Sequence, residues 1–185
     1  MEIYLIRHTT PDIEKGICYG QTNIGVTNSF FKEVDAIKKQ LSENKNYKVY
    51  SSPLFRCYKL AAELGNPIFT DSRLKELNFG KWENTPWDNI PKEEIDPWMK
   101  DFVTEKPTEG ESYIELKNRV IDFFNSLTKE DSSSKKLIIV CHAGPMRAFL
   151  SHIQNIDLKD SFTIKIDYGQ VFKIKHTNNA FSLVS

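Results

Sequence analysis

The sequence predicts an α/β protein in which a mostly parallel sheet is covered by helices on both faces. Short runs of apolar and β-branched residues alternate along the chain with longer segments whose apolar residues recur at helical spacing. The run Leu137–Cys141 is entirely apolar, as expected of a strand buried on both faces. Near the C-terminus apolar and polar residues alternate, which favours an antiparallel edge of the sheet.

The first part of the chain alternates strands and helices. Composition and periodicity predict, in order, strand Glu2–Ile6, helix Ser29–Glu43, strand Tyr47–Ser51, a helix with an apolar stripe from Leu54 to Leu64, and a weak strand Ile68–Thr70. Gly65 directly follows the second helix and is a candidate C-cap. From Asp71 to Gly110 no period is visible and prolines interrupt the sequence, so short helices and loops are expected there.

The second part of the chain begins with a long helix. Thr108-x-x-Glu111 fits a capping box, and one face of the following segment carries Tyr113, Leu116, Val120, Phe123, Phe124 and Leu127. Ser132–Ser134 is expected to be a solvated linker before the strand Leu137–Cys141. The remaining elements predicted are a helix from Met146 to Ile153, a strand through Phe162, Ile164 and Ile166, a turn at Tyr168-Gly169, a strand through Phe172 and Ile174, and a last strand Ala180–Val184.

Length and composition limit the function classes. The chain has 185 residues, which fits one domain, and its 25 basic and 25 acidic residues give a formal net charge of zero. Neither a nucleic-acid binder held by bulk charge nor a peripheral membrane protein is expected from this balance. No apolar run approaches the length of a membrane helix, the N-terminus does not resemble a signal peptide, and the three cysteines form no CxxC pair. A cytoplasmic location is therefore expected, and the oligomeric state, monomer or homodimer, stays open.

Three predicted strands end in cations or imidazoles. Glu2–Ile6 runs into Arg7-His8, Tyr47–Ser51 runs into a segment containing Arg56, and Leu137–Cys141 runs into His142. Because ligands of such sheets bind outside the carboxyl ends of the strands, these side chains are expected at one crevice.

Two of these strand ends also lead into helices. Ser52 with Pro53, and Gly144 with Pro145, fit helix starts as N-cap and first helical residue. Arginines, histidines and helix N-termini together indicate a phosphate site. The sequence contains no P-loop and no metal-ligand motif, so we expect neither a metal nor a cofactor.

Four segments together resemble the signature segments of the histidine phosphatase superfamily, the phosphoglycerate mutase-like proteins. They are Leu5-Ile6-Arg7-His8-Thr9-Thr10-Pro11, Ser51-Ser52-Pro53-Leu54-x-Arg56, Leu74–Glu83 (LKELNFGKWE) and Val140-Cys141-His142-Ala143-Gly144. Gly110-Glu111-Ser112 and Asp167-Tyr168-Gly169 resemble further landmarks of the family. The resemblance implies a three-layer α/β/α sandwich and a phosphohistidine mechanism. It assigns His8 as nucleophile, Arg7, Arg56 and a cationic His142 as phosphate clamp, and Glu76 as general acid.

The chain departs from the family pattern at a few positions. Thr9-Thr10-Pro11 stands where Gly-Glu-Thr is common, Glu14 where an Asn often occurs, and Ala143 where a Gly follows the second histidine. No clamp residue is lost, and Ala143 still offers its N–H. These departures affect the expected contacts with the leaving group rather than those with phosphorus.

The segment expected to cover the site, about residues 81–110, is acidic and aromatic. Between Lys81 and Glu109 there are four lysines, no arginine and eight acidic residues, and the segment contains all three tryptophans, Trp82, Trp87 and Trp98. This composition favours a substrate with one phosphate and a flat ring, although the tryptophans could equally form a small core. Together with Gly16–Thr22, the first signature segment resembles most closely the alpha-ribazole phosphatases of cobalamin nucleotide-loop assembly. Their substrate, a ribose 5-phosphate monoester with an aromatic base, is the small-molecule partner expected here, and the residues expected to contact it besides the clamp are Gln21, Thr22, Trp82 and Ala143.

Three functions of different classes remain open. The leading interpretation is a metal-independent phosphomonoesterase, specific for alpha-ribazole 5′-phosphate or of broad specificity. The second is a phosphoglycerate mutase-type isomerase, which the acidic covering segment disfavours. The third is a non-catalytic phosphoester-binding module, which the presence of every catalytic residue disfavours.

Overall fold

A computed structural model of the protein describes residues 1–42, 47–130 and 136–184, without the side chains of residues 129 and 130. Its elements are β1 (Glu2–Arg7), α1 (Phe30–Lys38), β2 (Lys48–Ser51), α2 (Phe55–Leu64), β3 (Ile68–Thr70), α3 (Lys92–Lys100), α4 (Tyr113–Glu130), β4 (Lys136–Cys141), α5 (Ala143–Ile153), β5 (Val171–Thr177) and β6 (Ala180–Leu183). Short 3-10 helices occur at Ser72–Leu74, Gly80–Trp82, Trp87–Asn89 and Leu158–Thr163. In this part of the chain no helix is long and apolar enough to cross a bilayer.

The six strands form one mixed sheet in the order β3-β2-β4-β1-β5-β6. The strands from β3 to β1 are parallel, whereas β5 and β6 are antiparallel, so the expected antiparallel C-terminal edge is confirmed. β1 and β4 are central, and their alternate side chains enter two separate cores because successive residues of a strand point to opposite faces. One core packs against α1 and α2 and the other against α4 and α5, which confirms the three-layer sandwich.

Most predicted elements are present within a residue or two of their expected bounds, but the predicted end of α1 and the predicted starts of α2 and α5 were wrong. α1 is regular only to Lys38, and its apolar pattern reaches Leu41 through tighter turns, in which the Gln40 N–H donates to the Ile37 carbonyl. The expected end at Glu43 lies outside the described residues, as does the Ser132–Ser134 linker. α2 begins after Leu54 rather than after Ser52, although the Ser52 hydroxyl still accepts the Leu54 N–H.

α5 also begins earlier than the Gly144-Pro145 pattern predicts. His142 occupies the N-cap position, so the helix starts directly at Ala143. Pro145 is then the third helical residue, still inside the first turn, where a missing N–H breaks no helical hydrogen bond. For the same reason the Gly144 N–H makes no helical hydrogen bond, and it donates to the Glu76 carboxylate instead.

Two further corrections concern the second part of the chain. The strand predicted through Phe162, Ile164 and Ile166 is absent; a 3-10 helix ends at Thr163, Phe162 contacts aromatic rings of neighbouring segments, and Ile166 enters the core. The capping box of α4 is Ser112-x-x-Glu115, not Thr108-x-x-Glu111. Glu111 instead forms an ion pair with Arg119, and the Thr108 hydroxyl donates to Glu94.

Candidate active site

Main-chain pairing between the two central strands brings two imidazoles together. Arg7 at the end of β1 is in register with Cys141 at the end of β4, and the His8 N–H donates to the Cys141 carbonyl at 3.0 Å. The next residue on each strand is therefore a histidine, and the ring centroids of His8 and His142 are 5.1 Å apart. β2 adds Ser52 to the same edge, where its N–H donates to the Val140 carbonyl.

The His8 ring is held in one tautomer. Its Nδ1 lies 2.7 Å from the Thr9 carbonyl oxygen, so Nδ1 carries the proton, and Nε2 accepts a hydrogen bond from Arg56 Nε at 3.3 Å. The side chain is only 1% exposed. Burial lowers the pKa of His8 well below its ordinary value, and the charges of Arg56 and Arg7 lower that pKa further. The ring is therefore neutral at pH 7, with a lone pair on Nε2.

Arg56 is a fully buried cation held by backbone carbonyls. Its terminal nitrogens donate to the Thr22 and Gly20 oxygens at 2.8 and 2.7 Å, and its Nε faces His8. No carboxylate among the described residues forms an ion pair with Arg56, so this guanidinium is oriented but not neutralised, which suits an anionic ligand.

Glu83 fixes the loop that holds Arg56. One carboxylate oxygen accepts the Gln21 N–H at 2.8 Å, and the other accepts the Thr22 hydroxyl at 2.6 Å. The Gln21 amide donates to the Glu76 carbonyl at 3.0 Å. The side chains of Gln21 and Thr22, which the sequence predicts to contact substrate, thus hold the loop together in this structure.

Two tyrosines cover the cationic side chains. The Arg7 guanidinium lies 3.8 Å from the centre of the Tyr168 ring, and the Arg56 guanidinium lies 5.3 Å from that of Tyr19. The two tyrosine hydroxyls are 3.2 Å apart. Arg7 also donates to the Ile166 carbonyl through Nη1, while its buried Nε has no partner among the described residues. An unpaired buried donor is costly, so Arg7 Nε is a suitable contact for a ligand oxygen.

The structure places His142 beside His8, but its surroundings disfavour the imidazolium form that the sequence predicts for the phosphate clamp. Its Nε2 lies 2.8 Å from the Ser52 hydroxyl and 3.3 Å from the Cys57 sulfur. Burial is the main cause that lowers the pKa of His142 well below its usual value, and the charge of Arg56 adds to it. A phosphate dianion would oppose both effects, because a nearby negative charge favours the imidazolium.

Glu76 lies at the N-terminus of α5. Its carboxylate accepts the Leu77 N–H at 2.9 Å and the Gly144 N–H at 3.1 Å. A Cβ at residue 144 would collide with this carboxylate, so the close approach requires glycine there. The Glu76 carbonyl is fixed separately by Arg119 Nη2 at 3.0 Å. The carboxyl group is thus held at the start of α5 by two backbone N–H groups.

A cleft with an empty volume of about 700 Å³, including its open mouth, adjoins these groups. Ala143, Gly144 and Glu76 form one side, and the other walls are mainly aromatic: Tyr19, Phe79, Trp87, Trp98, Phe102, Tyr113 and Phe162. Trp82, which the sequence predicts to contact substrate, does not line the cleft. It is 3% exposed, and its indole N–H donates to Glu94 inside the covering segment. Trp87 and Trp98 line the cleft instead. Arg147 also lines it and contributes a positive charge.

The structure thus brings together Arg7, His8, Arg56, His142, Ala143 and Glu76, whereas Gln21, Thr22 and Trp82 make internal contacts. Sequence reasoning assigned no role to Ser52 towards His142, to Glu83 towards the loop, or to Arg147 in the cleft. The first two belong to the signature segments, so their position was a usable signal. Arg147 carries no local signal, since a lone arginine on a helix is usually exposed. In the described part of the chain, no group of three His, Cys, Asp or Glu residues is arranged to hold a metal ion.

Comparison with known proteins agrees with this geometry. Residues 3–185 match the sequence profile of the histidine phosphatase superfamily, branch 1. The chain is 27% identical over 190 residues to a Hydrogenobacter thermophilus protein named as a phosphoserine phosphatase, covering 98% of this chain and 93% of the relative. It is 28% identical over 188 residues to a Yersinia pestis protein named as a phosphoglycerate mutase, covering 92% and 86%. The solved alpha-ribazole phosphatase of Shigella flexneri superposes with a TM-score of 0.89 at 21% identity, over 100% of this chain and 95% of that one.

Proposed function

The chain belongs to the histidine phosphatase superfamily, branch 1, and is a phosphatase of that family; from this premise we propose that it hydrolyses alpha-ribazole 5′-phosphate without a metal, through a phosphohistidine at His8. The observation that carries the mechanism is the fixed tautomer of His8. Its Nδ1–H is bound to the Thr9 carbonyl, and its unprotonated Nε2 faces Arg56. Location in the cytoplasm and a place in cobalamin nucleotide-loop assembly belong to the same proposal, as does a single domain that uses residues 81–110 as a covering segment.

In the first proposed step, the lone pair of His8 Nε2 attacks phosphorus. The P–Nε2 bond forms while the bond from phosphorus to the ester oxygen breaks, and Glu76 in its protonated form gives its proton to that leaving oxygen. Arg7, Arg56 and His142 stabilise the charge on the remaining phosphoryl oxygens. Because phosphoryl transfer depends mainly on positioning and charge stabilisation, side-chain cations can perform this role.

In the second proposed step, water attacks phospho-His8. The Glu76 carboxylate accepts a proton from the water as the new P–O bond forms, and the P–Nε2 bond breaks. Inorganic phosphate leaves, His8 regains its lone pair, and Glu76 is protonated for the next cycle. One carboxyl group thus acts first as acid and then as base.

The wall of the cleft supports an aromatic leaving group. Trp87 and Trp98 are stacked with their ring centroids 6.1 Å apart, and Phe79 packs edge-to-face against Trp87. These rings line the same cleft as Glu76 and Ala143, so a phosphoester bound at His8 would extend along them. A flat base gains both burial and ring stacking in such a cleft. Arg147 could bind the carboxylate of phosphoserine or phosphoglycerate, so these esters are the competitors to test.

A substrate panel without added metal and with a chelator present tests the proposal. We expect kcat/KM for alpha-ribazole 5′-phosphate to exceed that for phosphoserine, 3-phosphoglycerate, nucleotides and sugar phosphates by about tenfold or more, a typical gain from one good side-chain pocket. A higher value for phosphoserine would overturn the substrate assignment. Interconversion of phosphoglycerates after priming with a bisphosphate would instead identify a mutase.

The His8→Ala variant tests the intermediate. Loss of the nucleophile should lower turnover by at least about 1,000-fold and abolish acid-labile labelling of the protein by substrate phosphate. His152→Ala is the matched control, since His152 is an exposed residue of α5, and it should keep both properties. Appreciable turnover by His8→Ala would contradict the assignment.

A further inference from the structure

Arg147 is a cation of the cleft wall. It has no role in the proposed phosphate site, and only part of its hydrogen-bonding capacity is used within the fold. It lies on α5 one turn beyond Ala143, and its side chain lines the same cleft as Glu76 and Trp98. Its Nε donates to the Ile164 carbonyl at 3.1 Å. The two terminal nitrogens make no hydrogen bond or ion pair with any residue that the structure describes.

The guanidinium of Arg147 is held in place by its surroundings. It lies 4.9 Å from the centre of the Phe162 ring, and the Ile164 carbonyl fixes the inner end of the group. Burial lowers the pKa of Arg147, but an arginine remains charged at neutral pH. A fixed, half-buried planar group whose terminal nitrogens are unpaired among the described residues is preorganised to donate hydrogen bonds to a ligand.

The position of Arg147 separates it from the phosphate clamp. Arg7 lies at the end of β1, and Arg56 lies in the first turn of α2, where its Nε donates to His8. Arg147 instead lies among the rings of the cleft, with Phe162 and Tyr113. A phosphoester that places phosphorus at His8 would therefore bring its leaving group, not its phosphoryl group, to Arg147.

We propose that Arg147 selects the substrate by donating hydrogen bonds to a planar acceptor on the leaving group. This inference rests on the proposed function. A carboxylate and an unprotonated ring nitrogen share this chemistry. Each accepts hydrogen bonds in its own plane, the carboxylate through several lone pairs and the ring nitrogen through one, and the planar guanidinium can donate to either. Arg147 is thus a specificity-determining residue, and the stacked tryptophans supply the apolar part of the same contact.

The test compares three esters in the wild type, Arg147→Leu, Arg147→Gln and Arg147→Lys. Alpha-ribazole 5′-phosphate carries a ring nitrogen, phosphoserine carries a carboxylate, and phenyl phosphate carries neither. Since a hydrogen bond to a charged group contributes roughly 1.5–3 kcal/mol, we expect Arg147→Leu to lower kcat/KM about 10- to 100-fold for the ester that the wild type prefers, mainly through KM. Phenyl phosphate should change less than about threefold, and Arg147→Lys should recover part of the loss.

Lys159→Gln is the matched control, because Lys159 is an exposed cation of the nearby 3-10 helix and does not line the cleft. It should leave all three esters unchanged. An equal loss for phenyl phosphate, or no loss for the preferred ester, would overturn the role of Arg147.

A binding experiment separates this inference from the catalytic proposal. In His8→Ala protein, calorimetry of alpha-ribazole 5′-phosphate, phosphoserine and phenyl phosphate reports recognition without turnover. Adding Arg147→Leu should weaken binding of an acceptor-bearing ester and leave phenyl phosphate unaffected, even if the wild type proves inactive on it. Equal weakening of all three esters would overturn the inference while leaving the phosphohistidine mechanism intact.

Discussion

Two neighbouring imidazoles in this site differ in what holds them. His8 donates from Nδ1 to a backbone carbonyl and keeps Nε2 free of a proton, whereas His142 is bound at Nε2 by a serine hydroxyl. Both rings are buried among arginines and both are neutral without a ligand. The contrast gives each ring its proposed part: His8 presents a lone pair, and His142 can gain a proton when an anion arrives.

The leaving-group proton gives a sharp test of Glu76. Glu76→Gln keeps an oxygen that can accept the Leu77 and Gly144 N–H groups but has no proton to give. We expect hydrolysis of alpha-ribazole 5′-phosphate to slow by about 10²–10⁴-fold, since its alkoxide needs a general acid. In single-turnover measurements, release of p-nitrophenol from p-nitrophenyl phosphate, whose leaving group needs no proton, should slow far less than release of alpha-ribazole. Hydrolysis of phospho-His8, in which Glu76 acts as the base, should slow equally after either ester. Glu63→Gln, an exposed substitution on α2, is the control. Equal slowing of the two release steps would exclude Glu76 as the acid.

Among individual residues, those proposed to react are easier to predict from the sequence than those that hold them in position. Arg7, His8, Arg56 and His142 follow from short motifs at or just after strand ends, whereas Glu76 follows from the resemblance of its segment to the family. The structure brings these residues to one edge of the sheet. Their supports depend on contacts between distant segments. Glu83 lies in a signature segment, for example, but the loop that it holds lies some sixty residues before it, so the segment alone does not identify this partner.

At the scale of elements, the start of α4 shows how a correct pattern can be placed wrongly. Two capping-box patterns follow one another directly in this region, Thr108-x-x-Glu111 and Ser112-x-x-Glu115. The second is used because Arg119 on α4 binds Glu111 and thereby removes it from any cap. Similarly, strand β4 and the buried stripe of α4 were predictable from their residues alone, whereas the Phe162–Ile166 alternation was misleading because those side chains pack against different partners.

The two candidate caps make different predictions for stability. Ser112→Ala should lower the free energy of unfolding by about 1 kcal/mol, since it removes the hydroxyl that accepts the Glu115 N–H at the helix start. Thr108→Ala removes only an exposed hydroxyl bound to Glu94 and should cost less than about 0.5 kcal/mol. Urea denaturation of both variants measures the difference. A larger loss of unfolding free energy for Thr108→Ala would show that Thr108 caps the helix, as the sequence predicts.

For the whole molecule, the two buried histidines link stability to pH. Each has a folded-state pKa well below its unfolded value of about 6.5, so the unfolded chain binds more protons as pH falls below that value. The free energy of unfolding should therefore be greatest above pH 6.5 and decrease below it, by up to about 1.4 kcal/mol per pH unit for each ring.

Denaturation at several pH values between about 5 and 8 measures this slope. His8→Gln and His142→Gln should each make the decrease shallower, by up to about 1.4 kcal/mol per pH unit. His152→Gln is the control: burial also lowers the pKa of His152, but this residue is largely exposed, so its effect should be small. A slope that neither buried-histidine variant changes would show that other groups control the acid sensitivity.

The residues proposed to react and the residues proposed to recognise the substrate are positioned by different parts of the fold. Arg7 and Cys141 face each other across a main-chain ladder, so the spacing of the two imidazoles is set by the backbone of the sheet rather than by loops. The residues proposed to recognise the leaving group lie elsewhere, mainly in the connection between β3 and α4 and at Arg147. A substitution in that connection is therefore expected to change the walls of the cleft while leaving the spacing of the two imidazoles unchanged.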